Sequence, residues 1–174
     1  MEEQIEKPSV MSVSLKYGAI AGIISIAISL IRIIGFQANP MESDWKMSVL
    51  SFVIGVIIIV LAHREYKQNG DGFMSYGKGF GIGFLTTLFS FIISTIFLFV
   101  YLFVIDPAVY DEIWVKAEEQ MRDQGQTEEA IEMGMKMGRI FMWVGIIFVG
   151  LIMSAIMGAI VSLFTQKSNP EPNF

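Results

Sequence analysis

Four long stretches of this 174-residue chain are almost free of charge, and its 17 acidic and 12 basic residues crowd into the segments between them. A helix of about 20 residues crosses the ~30 Å hydrocarbon core of a bilayer. It is also a structure that satisfies every backbone N–H and C=O within one segment, which lipid demands. The stretches at about 15–36, 47–62, 80–105 and 140–164 suit that use. Composition alone decides less, because 53% hydrophobic residues lies only slightly above the roughly 45–50% of soluble proteins. The distribution predicts an all-α, integral membrane four-helix bundle with the lipid bilayer as its first partner.

The connections agree with this division. Residues 1–14 read as a polar N-terminal tail, 15–165 as the four-span membrane domain, and 166–174, with two prolines, as a disordered C-terminal tail. Met1 to Val10 is mainly acidic where a signal peptide is basic, so the first apolar segment is expected to stay in the protein. Gln37-Ala38-Asn39-Pro40 ends the first helix, because the residue before proline is driven out of the α region. Trp45 leads into the second span as an interfacial anchor, and Gln68-Asn69-Gly70-Asp71-Gly72 reads as a polar turn. The third span, ~39 Å long at 1.5 Å per residue, must tilt or protrude. Asp106-Pro107 stops it and can start the next helix, with Asp106 as N-cap and Pro107 at the first helical position.

Residues 107–138 read as an extramembrane helical hairpin between the third and fourth spans. Tyr110, Ile113, Trp114, Ala117 and Met121 recur on one helical face, while Glu112 with Lys116 and Glu118 with Arg122 form four-residue ion pairs on the other. Gly125-Gln126 breaks that helix. Thr127 caps its successor, whose first turns carry Glu128, Glu129 and Glu132 at the positive end of the helix dipole, and which runs on into the fourth span. Four spans put both termini on one side. Basic residues divide evenly: Lys7, Lys16, Arg64, Lys67, Lys78 and Lys167 lie on the terminal side, and Arg32, Lys46, Lys116, Arg122, Lys136 and Arg139 on the other. The compact segment holding Arg64, Lys67 and Lys78 tips the balance to termini in the cytoplasm and the hairpin in the periplasm of a multi-pass inner-membrane protein.

Chemistry-bearing residues are sparse. The chain lacks cysteine, which removes thiolate metal sites, thiol nucleophiles and disulfides. A net charge of −5 argues against a nucleic-acid partner. Gly77-Lys78-Gly79-Phe80-Gly81-Ile82-Gly83 has neither phosphate-loop spacing and reads as a glycine-rich start of a helix. His63, the single histidine, reads as a dipole-compensating or interfacial residue at a helix C-terminus. The acidic residues of the hairpin lack calcium-loop spacing and read as a solvated face; Met133, Met135, Met137 and Met142 read as packing filler rather than a copper site. No catalytic, cofactor-binding or metal residue is assigned, and no enzymatic activity or cofactor is expected.

Small residues give the clearest positive pattern. Gly150, Ser154, Gly158 and Ser162 recur every four residues; Gly18 and Gly22, with Ser25 and Ser29, and Gly79 and Gly83 beside Gly77 and Gly81 repeat the spacing. Such faces admit a second backbone at van der Waals contact, the main source of helix association in lipid. Packing within the bundle is favoured over homodimerisation. Arg32 is the one charge at membrane depth and can snorkel or pair with Glu42 or Asp44. Thr86, Thr87, Ser90, Ser94 and Thr95 of the third span are intramembrane polar candidates for a pore lining, although such hydroxyls commonly bond their own backbone.

Three segments give the chain a family likeness: Leu15-Lys16-Tyr17-Gly18-Ala19-Ile20-Ala21-Gly22, then Arg64-Glu65-Tyr66-Lys67 through Gly72-Phe73-Met74-Ser75-Tyr76-Gly77-Lys78-Gly79-Phe80, and the Asp106-Pro107 exit to an acidic, Met-containing segment. In these it resembles the four-helix bacterial membrane proteins called domain of unknown function four-one-nine-nine, over about 14–164, with Asp106 where the family pattern has asparagine. The resemblance implies a fold and a membrane setting but no activity. The function expected is that of a structural or interaction subunit that packs or oligomerises through small-residue faces and the acidic hairpin. The alternative is a small channel or transporter with a Ser/Thr-lined third helix.

Overall fold

The structure, a computed structural model, describes residues 8–36 and 44–169. They form five helices: α1 (Val10–Leu30), α2 (Trp45–Gln68), α3 (Tyr76–Val100), α4 (Pro107–Asp123) and α5 (Glu128–Thr165). Two π-helical turns, Ile31–Gly35 and Tyr101–Ile105, prolong α1 and α3. Four of the helices, all but α4, are long and apolar enough to cross a membrane.

Three helices start on a capping side chain, whereas Ser75 before α3 and Asp106 before α4 make no side-chain cap bond. Ser9 caps α1 by accepting from the Ser12 amide, so that helix begins five residues before the apolar run, inside the segment the sequence assigns to a polar tail. Asp44 caps α2 through the Lys46 amide, and Thr127 caps α5 through that of Ala130. Pro107 takes the first turn of α4, where its missing N–H leaves nothing unbonded. Gly125, at φ 75°, makes the left-handed step between α4 and α5 that a side chain would strain. Just beyond α5, Lys167 exchanges two backbone hydrogen bonds of 2.9 Å with Met74. The expected turn at 37–40 and the last five residues lie outside the described residues.

α3 packs most extensively, against α1 on one side and α5 on the other, while α2 touches α1, α3 and α5 more sparingly. The close contacts are made by small residues. A Cβ added to Gly83 would come within 2.8 Å of the Gly158 Cα, and one added to Gly158 within 2.7 Å of the Phe84 nitrogen, so backbone meets backbone between α3 and α5. Gly18 and Gly22 do the same for α1, receiving Phe89 and Ile93 of α3 at 2.6 and 2.8 Å from their would-be Cβ atoms. Gly150 faces the Phe91 ring. Large apolar side chains point outward instead, among them Ile34, Phe148 and Phe164 at 75%, 65% and 84% exposure.

α4 runs antiparallel to the beginning of α5, with Trp114 over Gly138 and the Met121 sulfur against Gly134. The Arg139 guanidinium lies 5.6 Å from the Trp114 ring. The amphipathic stripe of α4 therefore has its cover within the chain.

Gly158→Ala is expected to lower stability in detergent by about 1–3 kcal/mol, the usual effect of overpacking a tight contact. Gly77→Ala, where an added Cβ meets nothing within 4 Å, is expected to be neutral or to stabilise by up to about 1 kcal/mol. Denaturant or thermal unfolding followed by circular dichroism checks both; equal effects would contradict the close approach of α3 and α5.

Candidate functional site

Polar side chains gather at the end of the bundle where α2 ends, α3 begins and α5 ends. His63 is fully buried there. Its Nε2 lies 2.9 Å from the Gly79 carbonyl oxygen of α3, and its Nδ1 lies 2.7 Å from the Thr165 hydroxyl of α5. A carbonyl only accepts, so Nε2 carries a proton, and the second hydrogen bond is shared between Nδ1 and the Thr165 hydroxyl. Thr165 Oγ1 also lies 2.8 Å from the Val161 carbonyl. One imidazole thus joins three helices. Room for it comes from the small residues opposite, since Gly79 and Ser162 face each other with only 3.0 Å between a would-be Cβ and Oγ.

Around this clasp several other polar groups are paired. Lys67 Nζ donates to the Thr165 carbonyl at 2.9 Å, at a helix end whose last carbonyls lack intrahelical partners. Lys16 of α1 forms an ion pair with Glu65 of α2, and the Tyr17 hydroxyl donates to the same carboxylate oxygen at 2.9 Å. Ser14 donates to the Val10 carbonyl at 2.7 Å and lies 3.3 Å from that of Ile82, stitching α1 to α3.

The polar candidates of α3 lie farther along. Thr86, Thr87, Ser90 and Ser94 line a cavity of about 410 Å³ bounded by α1, α2, α3 and α5, and Ser25, Ser48 and Ser51 join them. Its wall is otherwise apolar, with Ile58 and Met157 among the lining. Ser94 also lines a neighbouring cavity of about 220 Å³ that holds Arg32 and Ser29. Arg32 is half-buried in the π-helical turn and is engaged in an interaction; Glu42, its expected partner, lies outside the described residues, and Asp44 caps α2. Thr87 donates to the Gly83 carbonyl and Ser154 to that of Gly150, the backbone bonding common to hydroxyls in apolar helices. Thr86 and Ser162, both buried, have no hydrogen-bond partner among the described residues.

The small residues Gly18, Gly22, Gly79, Gly83, Gly150, Ser154, Gly158 and Ser162 are all buried. Each glycine among them abuts another helix of the same chain.

The chain matches the family described as Protein of unknown function (DUF4199) over residues 16–167. It belongs to that family. No curated protein and no solved structure matches it. In this DUF4199 chain the first two segments that carry the family resemblance meet at the polar end of the bundle: Lys16-Tyr17 reaches Glu65, and Gly79 receives His63. The sequence places His63 at an interface, whereas the fold buries it. No short-range signal marks a histidine that will bridge residues 16 and 102 positions away, although its neighbourhood to a motif-bearing segment was visible.

His63→Leu and Thr165→Val are each expected to reduce stability by about 1–3 kcal/mol, by leaving buried polar partners unsatisfied. The double substitution should cost less than the sum of the two by about 0.5 kcal/mol or more. A double-mutant cycle in detergent measures this, and additive losses would show that the two side chains are uncoupled.

Proposed function

We propose that this DUF4199 chain is a four-span integral protein of the bacterial inner membrane, with its termini in the cytoplasm and the α4–α5 turn in the periplasm, and that it acts by association rather than catalysis. The observation that carries this reading is the reversal of ordinary burial: Gly, Ser and a clasped His face inward, and Phe, Ile, Leu and Val face outward along four helices. In water such a surface would drive aggregation, whereas in lipid apolar burial contributes little and close packing of small residues holds helices together.

Association is assigned to the part of the chain that projects. The 38 residues of α5 span ~57 Å against a ~30 Å hydrocarbon core, so several turns extend beyond it alongside α4. On that portion Met133, Met137 and Ile140 remain exposed at helical spacing, on a stripe that α4 leaves uncovered. The small-residue faces are filled by the chain's own helices, so a second copy or another membrane protein has this stripe to bind. His63 supports a non-enzymatic role, because both its ring nitrogens are committed to holding helices.

Since the chain has no cysteine, single replacements report topology cleanly. A membrane-impermeant maleimide applied to spheroplasts is expected to label Gln126→Cys but not Ser168→Cys until the membrane is opened; the opposite pattern overturns the orientation. Chemical crosslinking in native membranes tests association: Met133→Glu with Met137→Glu should remove crosslinked species without releasing the protein from carbonate-washed membranes. Crosslinks that persist in that variant contradict the role given to the stripe.

A further inference from the structure

A second feature lies at the polar end, beside the His63 clasp. Where α2 ends, a cavity of about 280 Å³ is lined by Arg64, Lys67, Gln68, Gly72 and Lys167. Three basic residues, drawn from α2 and from the segment after α5, line it, and among the described residues the lining contains no carboxylate. Like charges brought together lose free energy unless something neutralises them.

Cations at a helix C-terminus have an ordinary use, compensating the negative end of the dipole. Lys67 serves it by bonding the last carbonyls of α5. That use does not explain the other two. Lys167 lies beyond α5, fixed by its paired hydrogen bonds to Met74, with its ammonium 5.3 Å from the Phe73 ring. Arg64 makes no side-chain hydrogen bond or ion pair among the described residues, and its guanidinium presents five donors in a fork that matches phosphate oxygens. Asp71, on the neighbouring turn, accepts from the Phe73 amide. Gly72, at φ 79°, closes the turn by donating its amide to the Lys67 carbonyl, leaving side-chain cations to do the recognition.

We propose that this pocket binds the phosphate of an anionic phospholipid in the adjoining leaflet, with Arg64 as the principal contact and Lys67 and Lys167 completing the charge. The ligand chemistry is a phosphate diester. A lipid is favoured over a soluble phosphate because the pocket sits at the end of two apolar helices, where a headgroup lies when its chains run along their outward faces. The inference rests on the membrane placement proposed above, and on the same side of the bilayer as the termini it faces the leaflet in which anionic lipids attract basic clusters.

Native mass spectrometry of the full chain tests it, with phosphatidylglycerol and phosphatidylethanolamine of identical acyl chains titrated into detergent-solubilised protein and sn-glycerol 3-phosphate as the soluble arm. One phosphatidylglycerol per chain is expected, retained about tenfold or more over phosphatidylethanolamine, whose phosphate is the same but whose ammonium adds a like charge beside the three basic side chains. Arg64→Gln, and Arg64→Gln with Lys167→Gln, should remove that preference; neither change touches a backbone bond of the fold. Equal retention of the two lipids, an unaltered preference in the double variant, or binding of glycerol 3-phosphate as strong as that of the lipid each overturns the assignment. Liposome flotation of the wild-type chain is run alongside: failure to float removes the membrane reading, whereas flotation without lipid preference removes the pocket alone.

Discussion

The approach of α3 to its neighbours at backbone distance is the contact on which the rest of the molecule depends. Gly83 and Gly158 bring α3 and α5 together so closely that a methyl group on either would strike main-chain atoms of the other helix. Gly18 and Gly22 give α1 the same intimacy with α3. With three backbones drawn in this far, the interior holds only a small set of large side chains, Ile59, Met74, Ile82 and Leu102 among them, and many others are turned outward. The outward apolar surface is thus a consequence of small residues in the middle. It follows from spacing along the chain and not from any excess of hydrophobic composition.

α2 stands apart from this arrangement, and two features of the chain follow from that. It has a single glycine, Gly55, whose added Cβ would meet only the end of Met157. Its first half is largely exposed, and the hydroxyl-lined cavity opens beneath it. Its second half is held by Ile58, Ile59, Ala62 and, above all, His63. A helix without a small-residue face needs another means of attachment, and an imidazole with two partners provides it. The same attachment brings Arg64 and Lys67 to the end of α5, so the cationic pocket is a by-product of the clasp's geometry.

The sequence discloses the helices well because they rest on local chemistry: charge-poor runs, Thr127 as a cap, Asp106-Pro107 as a stop. It discloses that Gly150, Ser154, Gly158 and Ser162 share a face, since that is a matter of helical period. Which helix covers the face is not written in any one segment, because it depends on how four periods interlock. The start of α1 shows a smaller limit, for a polar Ser9 followed by Val10 reads as tail until the cap bond to Ser12 is seen. His63 and Lys167 were the least legible. Both act across long separations, His63 to Thr165 and Lys167 to Met74, and neither carries a motif that announces its partner.

An inward face of small residues and an outward face in lipid is the central claim, and collision accessibility along α5 tests it most directly. Spin labels placed singly from Phe148 to Ile160 in reconstituted bilayers should respond to oxygen, with a period of 3.6, at Phe148, Ile152, Ile156 and Ile160 and stay insensitive to a water-soluble nickel complex. Labels at Gly150, Ser154 and Met157 should respond weakly to both. Sensitivity to nickel at the outward positions, or a response without helical period, would contradict it.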